Sequence, residues 1–120
     1  MTKAIHFKAG ELRYKQTDVD GAHTTICRAI TSGISNTIGA GVETLENTKI
    51  HWTVTYDEVL FIKQGRVTIR TDGENHVCTE GDIVWLPSGT TLVYDAPESC
   101  TYFYALYPVD WANRQGVSEP

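Results

Sequence analysis

Residues His51 to Gly65 read HWTVTYDEVLFIKQG, and the reading of this stretch decides the fold. It consists of two β-rich runs joined by a tight turn and closed by a glycine. Side chains alternate between the two faces of a strand. His51 and Thr53 therefore share one face, Trp52 takes the other, and Glu58, Leu60 and Ile62 fall together on the second run. A matching unit, Gly81 to Leu92 (GDIVWLPSGTTL), holds a short strand stopped by Pro87. Its Pro87-Ser88-Gly89 turn combines a fixed φ with a residue that tolerates positive φ. Two such halves predict a small β-barrel with the functional site inside it.

Working outward, the flanks continue the pattern. Ile5 and Phe7 alternate with polar neighbours and predict a short edge strand. Glu11 to Asp20 is polar and ends in an Asp20-Gly21 turn. Thr24 to Ile30 is β-branched enough for a strand, Thr31 to Asn36 is a loop, and Thr37 to Glu46 is a strand with small residues at Gly39, Ala40 and Gly41. Asn47-Thr48 is expected to turn the chain into the central unit. Glu58–Ile62 and Arg66–Thr71 flank Lys63-Gln64-Gly65 as a hairpin, and Asp72-Gly73 is a second turn signal. Asn75–Thr79, Ile83–Leu86, Thr91–Tyr94 and Thr101–Tyr107 complete the strands, with Pro108 as a stop. Many short strands at close turn spacing, without a sustained helical period, predict an all-β chain. A single domain over residues 1–120 is expected, with a core over about 24–111 and a frayed tail over about 112–120.

Ten Lys and Arg against fifteen Asp and Glu give a net charge of −5. That balance argues against nucleic acid and anionic membrane surfaces as partners. No apolar run approaches the roughly 20 residues of a membrane-spanning helix, and the first residues carry no signal-peptide pattern. Cys27, Cys78 and Cys100 form no CxxC pair and read as reduced thiols. The expectation is a soluble, cytoplasmic protein.

The two central units resemble the cupin superfamily, whose first motif is G(x)5HxH(x)3–4E(x)6G and whose second is G(x)5PxG(x)2H(x)3N. His51, Glu58 and Gly65 match the first motif, and Gly81, Pro87 and Gly89 match the second. Thr53, Leu92 and Ala96 stand where the remaining histidines and asparagine belong. Within the superfamily the chain is most similar to the EutQ-like cupin domain of ethanolamine utilisation. Gly39-Ala40-Gly41, Glu46-Asn47, Trp52-Thr53, Tyr56-Asp57-Glu58 and Pro108…Trp111 carry that likeness. The resemblance implies a cupin double-stranded β-helix, or jelly-roll barrel, of two facing sheets. It also implies a homodimer and a link to acetate kinase activity, although the chain has no GxxxxGK[ST] phosphate loop.

If the hairpin brings His51, Thr53 and Glu58 together inside the barrel, an imidazole and a carboxylate suit a weakly held divalent metal. Two ligands are too few for tight binding unless His6, His23 or His76 supplies a third. No cofactor is otherwise expected. Without metal, a carboxylate walled by apolar groups has its pKa raised. Glu58 then serves as general acid or base with His51 as partner and Tyr56 as a donor to an oxyanion. The competing reading has Glu58 holding the hairpin by hydrogen bonds. Thr53, Tyr94, Tyr104 and Glu46 are the expected substrate contacts, with Glu43 another rim position. Trp52 is expected to face outward, and Trp85 and Trp111 to pack. Two functions are carried forward. One is a small-molecule enzyme of dehydratase, isomerase or lyase type; the other is a ligand-binding or assembly protein auxiliary to a catabolic pathway.

Overall fold

In the computed structural model, which describes residues 3–17 and 23–115, the organising element is the long strand Thr91–Tyr107. The strands in chain order are β1 (Lys15–Thr17), β2 (Thr24–Ile30), β3 (Gly39–Thr53), β4 (Asp57–Thr71), β5 (Glu74–Thr79), β6 (Ile83–Leu86) and β7 (Thr91–Tyr107), followed by helix α1 (Trp111–Gln115). All pairings are antiparallel. Strand β7 lies between β3 and β4 along its whole length, in the order β1-β2-β3-β7-β4-β5, with β6 also on β4.

Three long strands bend at one level, which turns this ladder into a barrel. The β3–β7 register runs from Gly39↔Leu106 to Glu46↔Ser99, shifts, and resumes from Thr48↔Ala96 to Thr53↔Thr91. The β4–β7 register likewise shifts between Ile62 and Gln64 and again between Gly65 and Thr68. An extra residue in one strand bends it and increases its twist. On one side of the bends, the first halves of β3 and β4 join the second half of β7, with β1, β2 and β6 outside them. On the other, the remaining halves join β5. The two layers share one core that includes Leu45, Ile50, Leu60, Ile69, Leu92 and Tyr102.

The bends have local causes. Asn47 takes φ +43° and Gly65 φ +82°. A Cβ on Gly65 would lie 2.1 Å from the Ser99 carbonyl oxygen, so β4 can cross β7 there only without a side chain. The β4–β5 hairpin turns on Asp72 and Gly73, both at positive φ, as the Asp-Gly signal predicts. The turn before β7 uses Gly89 at φ +99°.

Several expectations are corrected. No hairpin forms at Lys63-Gln64-Gly65; β4 runs through it, because Gly65 pairs with Cys100 of β7 rather than reversing the chain. Asn47-Thr48 is a bulge inside one continuous β3, not a turn. Ile5 and Phe7 are exposed and outside any strand. The edge strand is Lys15–Thr17, whose partner is β2 and whose Thr17 hydroxyl meets that of Thr24. Tyr94 and Tyr104 face inward as expected, and all three cysteines are buried thiols. Trp85 is 61% exposed rather than packed. The C-terminal segment holds more than Trp111, since Val109 and Ala112 are buried too. The Asp20-Gly21 turn and residues 116–120 lie outside the described residues.

Candidate functional site

Between the two layers lies a cavity of about 100 Å³, walled by β2, β3, β4, β7, the β3–β4 connection and α1. Each strand contributes by alternation. Glu58 comes from β4, on the face of Leu60 and Ile62. Tyr94, Tyr102 and Tyr104 come from β7, Glu43 and Trp52 from β3, and Arg28 from β2. The connection supplies Tyr56 and the helix supplies Trp111.

The bulge at Asn47 sets which β3 side chains enter. Before it, odd positions face the cavity or core, as Glu43 and Leu45 do. After it, even positions do, as Ile50 and Trp52 do. Across this register shift, where Asn47 alone lies opposite Pro97 and Glu98 of β7 and takes a positive φ, the inward parity of β3 reverses. His51 and Thr53 are therefore turned outward and exposed, and Trp52 points in, the opposite of the sequence expectation. Thr53 bonds the Thr91 hydroxyl at 2.9 Å on the outside. His51 faces a wide open hollow near the Asp72-Gly73 turn. Glu46 sits exposed at the bulge, away from the cavity. Of the expected site residues, the structure gathers Glu58, Tyr56, Tyr94 and Tyr104 and leaves out His51, Thr53 and Glu46.

Trp52, Tyr56 and Trp111 form one aromatic wall. Trp52 Nε1 donates to Tyr56 Oη at 3.1 Å. The Trp52 and Trp111 rings meet edge to face at 6.3 Å, and Tyr56 and Trp111 lie 4.7 Å apart between centroids. Opposite β3, Tyr104 reaches over Gly41, where a Cβ would lie 2.8 Å from its hydroxyl and 2.1 Å from the Cys27 carbonyl oxygen. A side chain at position 41 would therefore close part of the cavity wall.

Two carboxyl groups face this space. Glu58 is only 6% exposed. Burial, and then the negative charge of Glu43, push its pKa up to about 8. Glu43 is half-buried and accepts a hydrogen bond from the Tyr102 hydroxyl. Burial raises its pKa as well, while Tyr102 and the nearby Arg28 guanidinium pull it back. Tyr56, Tyr94 and Tyr102 are all pushed upward, first by burial, so they stay neutral hydrogen-bond donors. Glu43 was read from sequence only as a rim position. Arg28 and the inward role of Trp52 escaped it, because each depends on strand register. The one local clue was the shared parity of Glu43 with Leu45, and of Arg28 with Thr24 and Ile26.

The donor set does not fit the metal of a metal-binding cupin. With three residues rather than four between the motif positions and Glu58, the inward places are Trp52 and Val54, and Leu92 takes the place in the second motif. That leaves Glu58 alone of the expected ligands. Among the described residues no three His, Cys, Asp or Glu side chains converge.

A bent antiparallel barrel with its site between the layers defines the cupin class. The fold agrees with a Cupin 2 conserved barrel domain protein from Salinispora arenicola, at TM-score 0.63 and 15% identity over 97% of both chains. Within that class, residues 6–113 match the family described as Ethanolamine utilisation protein EutQ, and the chain belongs to it. The solved Clostridium difficile EutQ protein superposes at TM-score 0.80, with 22% identity over 88% of both chains. The protein "Acetate kinase EutQ" of Clostridioides difficile is 29% identical over 77 residues, 64% of this chain and 49% of its own length. The matched region thus spans about half of that relative. No helix among the described residues is long and apolar enough to cross a membrane.

Proposed function

We propose that the barrel binds a small polar metabolite and that Glu58 exchanges a proton with it. The observation that carries this reading is the placement of Glu58, a buried carboxyl facing the cavity with its pKa raised to about 8. At neutral pH it is mostly protonated and can donate. Once ionised, its charge is disfavoured by burial and by Glu43, so it readily takes a proton back. Such a group works as acid and base near neutrality. Glu43, tied to Tyr102 and offset by Arg28, keeps a different environment. Both carboxyls are raised by burial, but only Glu43 has a hydrogen-bonding tyrosine and a guanidinium acting against that rise. The neutral tyrosines would orient a substrate oxygen. Dehydration, isomerisation and lyase steps can each use a carboxyl that exchanges a proton in this way.

A carbon-detected NMR titration of the Glu58 carboxyl tests the reading. A midpoint near 8 supports it; a midpoint in the ordinary range near 4.5 overturns it. A purely ligand-binding role is favoured by the apolar residues at the motif positions, Trp52, Val54 and Leu92. In that case a metabolite found by thermal shift would bind Glu58→Gln normally and no turnover would be lost. Acetate kinase activity, carried by the name of the partial relatives, is the weaker proposal. The cavity presents Arg28 against two carboxyls, a poor match for phosphates. Acetyl phosphate formation from acetate and ATP would establish it.

A homodimer is proposed through the outer face of β6, β4 and β7. Val59, Phe61, Ile83, Trp85, Phe103 and Tyr107 are exposed there. Cross-strand pairing sets Phe61 beside Ile83 and Phe103, and Val59 beside Trp85. Together they expose on the order of 500 Å² of apolar surface, judged from side-chain sizes. That lies in the upper part of the range for a monomer's biggest patch and is more than half of one side of a standard interface.

A further inference from the structure

The cavity contents also bear on what kind of metabolite fits, and this inference rests on the barrel being a small-molecule site. We propose that the cavity takes a small organic ammonium ion, its charge held by the Glu58 carboxylate and its carbon atoms by the Trp52–Tyr56–Trp111 wall.

Three observations converge on a cation. The first is the aromatic lining. Six of the cavity's residues carry aromatic rings, and aromatic faces attract organic cations through their quadrupoles. The Trp52–Tyr56 hydrogen bond and the ring contacts to Trp111 hold the wall in place before any ligand arrives. Little ordering cost remains for binding. The second is the charge balance, with Glu43 and Glu58 set against Arg28. Arg28 and Tyr102 act on Glu43, so Glu58 is the carboxyl whose charge a ligand can neutralise. The third is size. About 100 Å³ corresponds to roughly three waters, which suits an ammonium group on a two-carbon chain.

Binding is coupled to a proton. Near neutral pH Glu58 is mostly the neutral acid; the ammonium ion stabilises the carboxylate, and one proton leaves to solvent. No bond to carbon is made or broken. The titratable groups facing Glu58 are Glu43 on β3, Arg28 on β2, Tyr56 in the connection and Tyr94, Tyr102 and Tyr104 on β7. Burial lifts Tyr56, Tyr94 and Tyr102, the last two well above their ordinary value, so they stay protonated.

Isothermal titration calorimetry with ethylammonium tests this, with ethanol as the neutral probe of the same shape and acetate as the anionic one. Ethylammonium should bind more tightly than either. Its affinity should rise about tenfold per pH unit below the Glu58 pKa and level off above it. Repeating the titration in two buffers of different ionisation heat should show close to one proton released near pH 7. Glu58→Gln should weaken binding at least tenfold and flatten the pH dependence. The wild-type proton release stands by itself if that variant does not fold. Acetate or ethanol binding as tightly as ethylammonium overturns the proposal, as does absence of ethylammonium binding at every pH. A Glu58 midpoint near 8 by NMR without ammonium binding removes this inference and leaves the proton-exchange reading. An ordinary midpoint with ammonium binding that Glu58→Gln weakens removes the proton-exchange reading and the proton release, and leaves the cation site.

Discussion

At the scale of single residues, Glu58 dominates the chemistry and should be visible in the pH dependence of stability. Its pKa is raised in the folded state to about 8 from an ordinary 4.5. The folded protein therefore holds a proton that the unfolded chain gives up in that interval. Stability should be fullest below about pH 4.5, as far as this group is concerned, and fall as pH rises through 8. The loss is on the order of a few kcal/mol, and Glu43, also raised, adds the same sign. Chemical denaturation across this range measures it, and Glu58→Gln should remove most of the slope. A flat profile in the wild type would contradict the buried placement. His51 makes the complementary case. It is exposed and outside the cavity, so His51→Ala should change stability by less than about 0.5 kcal/mol and leave cavity ligands bound as before. A loss of ligand affinity in that variant would put the imidazole back in the site.

At the scale of elements, the bulges deserve the weight that motifs usually receive. Within an uninterrupted strand, alternation correctly sorts inside from outside: Glu58, Leu60 and Ile62 on β4, and Leu92 and Tyr94 on β7, all face the interior. Alternation fails across Asn47, where the register against β7 shifts and exchanges His51 and Trp52. Asn tolerates the left-handed backbone better than most residues, so its presence at φ +43° was a readable but weak sign. Gly65 is the stronger case. Gly65→Ala would combine a positive φ with a Cβ 2.1 Å from the Ser99 carbonyl oxygen. The β4–β7 crossing would have to separate, at a cost of about 2 kcal/mol or more. A fall in the unfolding midpoint checks this, whereas an unchanged midpoint would mean that β4 crosses β7 with more room than the geometry gives.

At the scale of the whole molecule, the apolar outer face and the cavity lie on opposite sides of the same strands. Phe61 and Val59 point out of β4 while Leu60 and Glu58 point in. Self-association on the outer face would thus brace the cavity wall from behind. Light scattering should report twice the 13.4 kDa chain mass. Trp85→Glu, at a side chain 61% exposed, should shift the species to a monomer while keeping the β-rich circular dichroism of the fold. A monomeric wild type would leave this face without a second copy as its occupant.

The sequence by itself determined the class of architecture. Turn signals at Asp72-Gly73 and Pro87-Ser88-Gly89, with β-rich runs around them, are local features, and local chemistry is what a linear chain displays. The surviving motif glycines and proline, and the position of Glu58, were legible for the same reason. Only the tertiary structure decided which residues meet. The pairing of Glu43 with Tyr102, the approach of Arg28 and the entry of Trp52 depend on register between strands distant in the chain. A shift of one residue in such a register exchanges the two faces of a strand. Of the positions read from a metal motif, His51 and Thr53 therefore landed outside the barrel while Glu58 stayed inside, in a cavity of carboxyl and aromatic groups.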